Sequence, residues 1–297
     1  MPGRVSANGV SLLAPTIFNF GTQEQQDHFL PRMAAGDDIW AQGWSEPEAG
    51  SDLAGIKTKA IRDGDHYVVN GQKTWCSRGA FADWIFCIVR TDPDAERHAG
   101  LTYLLVPAGL DGMETRPIGR LDGEPGFAEI FFDDCRVPVE YVLGEEGQGW
   151  SVAMAAAGSE RGLNLRSPGR FMAAAERLVD LARELDAGGT PVDLRLRDEV
   201  ADAWIKAQAY RWQTYMTAAA LMQGADLGSE ASLMKVWWSE LDLELHATAL
   251  RLLGERGELM SEWLDGYVFA LSGPIYAGTN EIQRNIIGER VLGLPRR

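Results

Sequence analysis

Cysteine is scarce in this chain of 297 residues: three thiols, Cys76, Cys87 and Cys135, far apart and odd in number. They form neither a disulfide framework nor a zinc-type spacing, which points to a reducing cytoplasm and gives no reason to expect a metal. Positive charge is also short. Lysine and arginine number 28 against 43 acidic residues, a formal net charge of −15. That balance argues against nucleic acid or an anionic membrane as partner and favours solubility, while leaving room for an anionic ligand held by local donors. No apolar run approaches the roughly 20 residues that span a bilayer, and the N-terminus carries no signal-peptide pattern. Internal repeats and low-complexity linkers are absent. What remains is ordinary globular material, 45% hydrophobic with ten tryptophans, enough for one large domain or two smaller ones.

Three zones follow one another. Residues 1–38 read as helical, with "TQEQQDHFLPRMAAGD" forming an amphipathic helix capped by Thr22, acidic in its first turn and carrying Phe29 and Leu30. Residues 39–145 read as strands. Asn70-Gly71 lies between apolar runs and predicts a hairpin turn, and "DWIFCIVR", "LTYLLVP" and "AEIFFDDCRVP" predict further strands. From 146 to 297 the pattern is helical, over about 149–186, 194–222, 229–253, 258–270 and 279–291, broken at "AGGTP", "GADLG", "GERG" and "SGP". The fold class is therefore α+β: a partial N-terminal helical segment, a central β domain (antiparallel, barrel- or sandwich-like) and a C-terminal four-helix bundle.

Three segments carry candidate chemistry. "WAQGWSEPEAGSDLAGIKTKA", residues 40–60, is a loop rich in backbone donors and hydroxyls, which suits a phosphate or a polar ring edge; it also reads as a plain Gly/Pro/Ser turn. In "NGQKTWCS", Trp75 and Ser77 lie two apart, on one side of a strand, where an indole and a hydroxyl could wall a flat heteroaromatic ring; taken alone, Trp75 reads first as core. In "IYAGTNEIQRNIIGERVLGLP", Gly278 permits close backbone approach, and Thr279 caps a helix whose first turn holds Glu281.

In this order and spacing, the three segments resemble the acyl-CoA dehydrogenase family of flavoproteins, from about residue 12 to the C-terminus. The resemblance implies an FAD cofactor, an acyl-CoA thioester desaturated between its α and β carbons, electron-transfer flavoprotein as electron acceptor, and a homo- or heterotetramer. It also implies that roughly a hundred residues of an N-terminal helical domain would precede this chain. Carried over by motif, Gln42, Trp44 and Ser45 meet the flavin, and Ser51 lies near the pyrophosphate and the CoA arm. Trp75 stacks on the isoalloxazine with Ser77 beside its hydride-accepting nitrogen. Thr279 and Glu281, with the backbone of Gly278 and Asn280, hold the phosphate and ribose side. Ser51, Arg161 and Gly278 are the expected substrate contacts.

The base departs from the commonest family pattern. Many members carry it in Tyr-Glu-Gly-Thr, and here that motif reads Tyr276-Ala277-Gly278-Thr279; alanine takes no proton. A second group keeps its glutamate just before an arginine on the first helix after the β domain, which corresponds to Glu160-Arg161 in "MAAAGSERGLNL". Glu160 is the expected catalytic base. A carboxylate in an apolar pocket rises from about 4.3 toward roughly 6–7, useful near neutral pH. The family's Arg-x-x-Phe-Gly segment is not visible, and Arg251 stands where its Gln-x-x-Gly-Gly begins. Both departures resemble actinobacterial relatives acting on bulky, steroid-like CoA esters. The alternatives are a flavin oxidase or monooxygenase of the same fold, or a non-catalytic partner subunit.

Overall fold

The computed structural model describes residues 6–160, 167–225, 228–229 and 231–296, with the side chains of residues 159 and 160 outside that description. The chain divides into two compact units, Met1–Glu160 and Arg161–Arg297.

The first unit opens with a π-helical turn, Asn8–Leu13, that runs into α1 (Ala14–Phe20). α2 (Gln23–Ala35) begins as its sequence predicts. Thr22 Oγ1 accepts from the Gln25 backbone, Gln25 Oε1 accepts from the Thr22 N–H, and Gly36 at φ 80° closes the helix. Its buried Phe29 turns an edge to Trp40 and Trp84, at 5.3 and 5.0 Å between ring centroids, which ties the helix to the sheet through apolar contact.

Seven strands make one sheet: β1 (Trp40–Gly43), β2 (Lys59–Asp63), β3 (His66–Lys73), β4 (Trp84–Arg90), β5 (Leu101–Pro107), β6 (Met113–Ile118) and β7 (Phe127–Pro138), ordered β1-β4-β2-β3-β7-β6 with β5 on β4. Four of the strand pairings are antiparallel, while β1 and β2 both run parallel to β4. β4 and β5 are buried along nearly their whole length, so they read as continuous apolar runs. The core of this unit gathers Val69, Ile85, Val89, Leu104, Ile130 and Val137. α3 (Gly149–Glu160) packs on β5. It begins at a glycine because a Cβ there would lie 2.6 Å from the Thr102 nitrogen.

The Asn70-Gly71 hairpin is not there. The β2–β3 turn is the two-residue loop Gly64-Asp65 of "RDGDH", with Gly64 at φ 62° and Asp63 paired to His66. Asn70-Gly71 sits inside β3, where the register against β7 shifts between Val69 and Gly71. Gly71 serves a bulge there: its φ is 146°, and a Cβ would come within 2.6–2.9 Å of Thr58.

The second unit is helical. α4 (Pro168–Ala187) is capped by Ser167 and α5 (Leu194–Met222) by Asp193. α6 (Ala231–Leu253) packs against both, and α7 (Glu262–Ala270) and α8 (Asn280–Ile286) pack on α6. Phe171, Leu178, Ala203, Tyr210, Trp238 and Leu245 fill the core between them. Among the described residues no helix is long and apolar enough to cross a membrane.

Candidate functional site

In the first unit the candidate loop leaves β1 at Gly43, and Gln42 lies in register with Phe86 of β4. Trp44 is buried, in T-shaped contact with Phe86 and Tyr103, and its Nε1 has no hydrogen-bond partner among the described residues. An orphaned buried indole N–H is a donor held ready. Ser45 is half-buried and accepts through its carbonyl from the Thr74 N–H at 2.9 Å. Ser51 lies on an exposed bend, next to Asp52, which is paired with Arg97.

Sequence reasoning passed over the two residues that hold this loop. The Glu46 carboxylate accepts from the backbone N–H groups of Lys57 and Thr58, at 2.6 and 2.9 Å. It also accepts from Lys73 Nζ at 2.8 Å, and Lys73, fully buried, donates further to the carbonyls of Trp44 and Ile88. Burial pushes the Glu46 carboxyl up. The Lys73 charge and the hydrogen bonds from Lys73, Thr58 and Lys57 outweigh that and hold it below the usual carboxylate range. Every Lys73 proton thus has an acceptor, the condition under which a buried ion pair is tolerable. Glu46 and Lys73 are 27 positions apart, and "GQKT" and "SEP" carry no local signal that they pair.

Trp75 and Ser77 do not lie on a strand. β3 ends at Lys73, and beyond it Trp75 adopts φ 57° and Arg78 φ 66°. The left-handed region is a genuine outlier for so bulky a residue as tryptophan. Between them Cys76 is buried and exchanges both backbone hydrogen bonds with Ala128, while the Arg78 N–H donates to the Gly126 carbonyl. The alternation in burial survives although the strand has ended: Trp75 is 60% exposed, and Ser77 is half-buried. Phe127 meets the Trp75 ring edge-on at 5.9 Å. A large indole held out in a strained conformation beside a hydroxyl fits a flat aromatic ligand. Burial raises the Cys76 thiol, and that of Cys87 is pushed up to about 12, so neither offers a thiolate.

In the second unit, Ala277 at φ 57° and Gly278 at φ 79° make two successive left-handed residues. Gln283, fully buried, donates through Nε2 to the carbonyls of Ala277 and Gly278, and a Cβ on Gly278 would stand 2.6 Å from that amide. Thr279 caps α8 by accepting from the Ile282 N–H. Glu281 is exposed, and its own backbone N–H and the Thr279 hydroxyl hold its carboxyl below the usual range. Asn280, whose backbone is the expected contact, turns its side chain inward. Its Oδ1 accepts from Lys235 and Ser239, at 2.8 and 3.1 Å, its Nδ2 donates to Glu240, and its backbone N–H donates to Pro274. Gln283, Lys235 and Ser239 therefore build this turn, and all three went unnoticed in the sequence. Arg251 is engaged by Glu199 and Thr248. Glu160 closes α3 in the first unit with its side chain outside the described residues. Arg161 lies outside the described residues.

Residues 41–135 match the family model of the acyl-CoA dehydrogenase middle domain, and residues 147–292 that of the acyl-CoA dehydrogenase C-terminal domain. The acyl-CoA dehydrogenase IpdE1 of Mycobacterium tuberculosis is 41% identical across 99% of this chain and 77% of its own length. The acyl-CoA dehydrogenase FadE26 of the same organism is 37% identical across 97% and 76%. Among solved structures, the ChsE4–ChsE5 complex from Mycobacterium tuberculosis is similar with a TM-score of 0.89 and 35% identity, over 99% of this chain and 79% of that one. The Tcur3481–Tcur3483 steroid ACAD gives 0.91 at 29% identity, over 98% and 77%.

Proposed function

The chain belongs to the acyl-CoA dehydrogenase family and is an oxidoreductase acting on acyl-CoA, and from that premise we propose that it desaturates a bulky, steroid-like acyl-CoA between the α and β carbons with FAD as cofactor. The observation that carries the reading is Trp75, strained, exposed and next to Ser77 in a turn that the sheet holds on one side only. That turn is where the family resemblance puts the isoalloxazine, with Gln42, Trp44 and Ser45 on the neighbouring loop and Ser51 toward the pyrophosphate. On the second unit, Gly278, Thr279 and Glu281 take the phosphate and ribose side. Asn280 acts there by shaping the turn, its amide being held within the protein.

When bound, FAD supplies the acceptor for the β-hydride. Glu160 removes the α-proton: its carboxylate oxygen gains the proton as the α C–H bond breaks, and the electron pair closes the new double bond while the β-hydride leaves. Arg161, Ser51 and Gly278 contact the CoA ester. The steroid-like class rests on the steroid ACAD among the similar structures. Electron-transfer flavoprotein takes the electrons onward, and the chain works within a tetramer of one or two chain types. Three buried thiols suit the cytoplasm.

The test is the visible spectrum of the purified full chain, followed by anaerobic addition of short, long and steroid-type acyl-CoA esters beside Glu160→Gln. The expected result is bound flavin that a steroid-type ester bleaches in the parent, at a rate lowered about 10²–10⁴-fold in the variant. Equal bleaching in both removes Glu160 as base, and bleaching by no ester removes the dehydrogenase reading.

A further inference from the structure

The turn Trp75–Arg78 is strained at both ends, with Ser77 between two non-glycine residues in the left-handed region. Such a conformation persists only where its surroundings over-determine it. One side is held by the backbone bonds of Cys76 and Arg78 to Ala128 and Gly126. The other is held by a side chain from far away in sequence. Asn8 Nδ2 donates to the Ser77 carbonyl at 3.2 Å, and Asn8 Oδ1 accepts from Arg78 Nη1 at 2.7 Å.

Both ends of one planar amide are thus engaged by two consecutive residues, 69 and 70 positions distant. An amide used in this way fixes direction as well as distance, because its donor and acceptor cannot exchange without losing both bonds. Asn8 is only 7% exposed, so water is a poor substitute for either partner. Its own position is well anchored. It begins the π-helical turn Asn8–Leu13, a rare geometry that recurs at functional sites. The next residue, Gly9, lies so close to Trp40 of β1 that a Cβ would approach that ring to 2.9 Å.

We propose that Asn8 is a positioning residue for the flavin, acting through Ser77: its amide sets the tilt of the Ser77–Arg78 peptide and with it the direction of the Ser77 hydroxyl. The inference rests on the proposed function, in which Ser77 faces the reactive edge of the cofactor. It explains why a strained serine turn is tied to a helical segment 69 positions away in sequence. Asn8 touches no reacting atom in this account.

Two variants of the full chain separate the parts of the contact. Asn8→Asp keeps an acceptor for Arg78 and sets oxygen against the Ser77 carbonyl; Asn8→Ala removes both bonds. Each is measured for FAD affinity, flavin midpoint potential, and kcat and KM with the ester that works. Both are expected to bind FAD about three- to tenfold more weakly, the equivalent of one hydrogen bond. Both are also expected to shift the midpoint potential and to lower kcat more than they raise KM. In a Ser77→Ala background the same substitutions are expected to change the potential little, since the group they position is gone. An unchanged potential and FAD affinity in Asn8→Asp, with the parent normally loaded, overturns the role of Asn8 and leaves the proposed function standing. A parent that binds no FAD overturns both.

Discussion

Lys73 is fully buried, and three oxygens surround its ammonium. Removing one member of such a pair leaves the other buried and uncompensated. Lys73→Met is therefore expected to destabilise the protein by about 3–5 kcal/mol in urea unfolding, and adding Glu46→Gln is expected to recover much of the loss. The same pair sets an acid limit. The Glu46 carboxyl in the folded protein lies below its unfolded value of 4.5, so its contribution is fully present above that value and is lost as pH falls through the lowered one. Below pH 4.5 the unfolding free energy should fall less steeply in Glu46→Gln than in the parent. Trp75 poses the opposite case, a residue whose native conformation opposes stability. Holding it left-handed costs about 1–3 kcal/mol, and glycine adopts that region freely. The flavin-free Trp75→Gly protein is expected to be as stable as the parent or better by about 1 kcal/mol, while FAD binds more weakly. A less stable flavin-free variant in the same urea titration would show that Trp75 is held by packing instead.

At the scale of elements, the β2–β3 hairpin contains two glycines with different duties. Gly64 sits in the turn at φ 62° with nothing near its missing Cβ, whereas Gly71 at φ 146° faces Thr58 at 2.6–2.9 Å. Gly64→Ala is expected to cost about 1 kcal/mol, the conformational penalty alone. Gly71→Ala adds a collision with backbone and is expected to cost about 2–4 kcal/mol. Equal losses in thermal or urea unfolding would mean that the bulge can relax. The helices were easier to read than this hairpin. α5 runs from Leu194 to Met222, the span the sequence predicts, because Asp193 caps one end and the glycine-bearing break lies past the other. The hairpin was misplaced because both Asp63-Gly64 and Asn70-Gly71 carry a turn signature, and only pairing with β7 shows that the second is a bulge.

Over the whole molecule, local chemistry and long-range contact divide the account between them. The order of zones, the capping of α2 and α5, the runs of β4 and β5 and the three motif segments were legible in the amino-acid order alone. Each depends on residues within a few positions of one another: a side chain reaching the next turn, apolar residues at strand spacing, a glycine where the chain must bend. The replacement of the motif glutamate by Ala277, and with it the search for a base at Glu160, was also determined by sequence. Tertiary structure alone decided that β1 and β2 run parallel to β4, that Trp75 lies beyond its strand in a left-handed turn, and that Asn280 faces inward. It alone brought Glu46 to Lys73 and Asn8 to Ser77. These pairs are 27 and 69 positions apart, and a hydrogen bond across such a span leaves no periodicity in the sequence, because its geometry exists only once the sheet has brought the partners together.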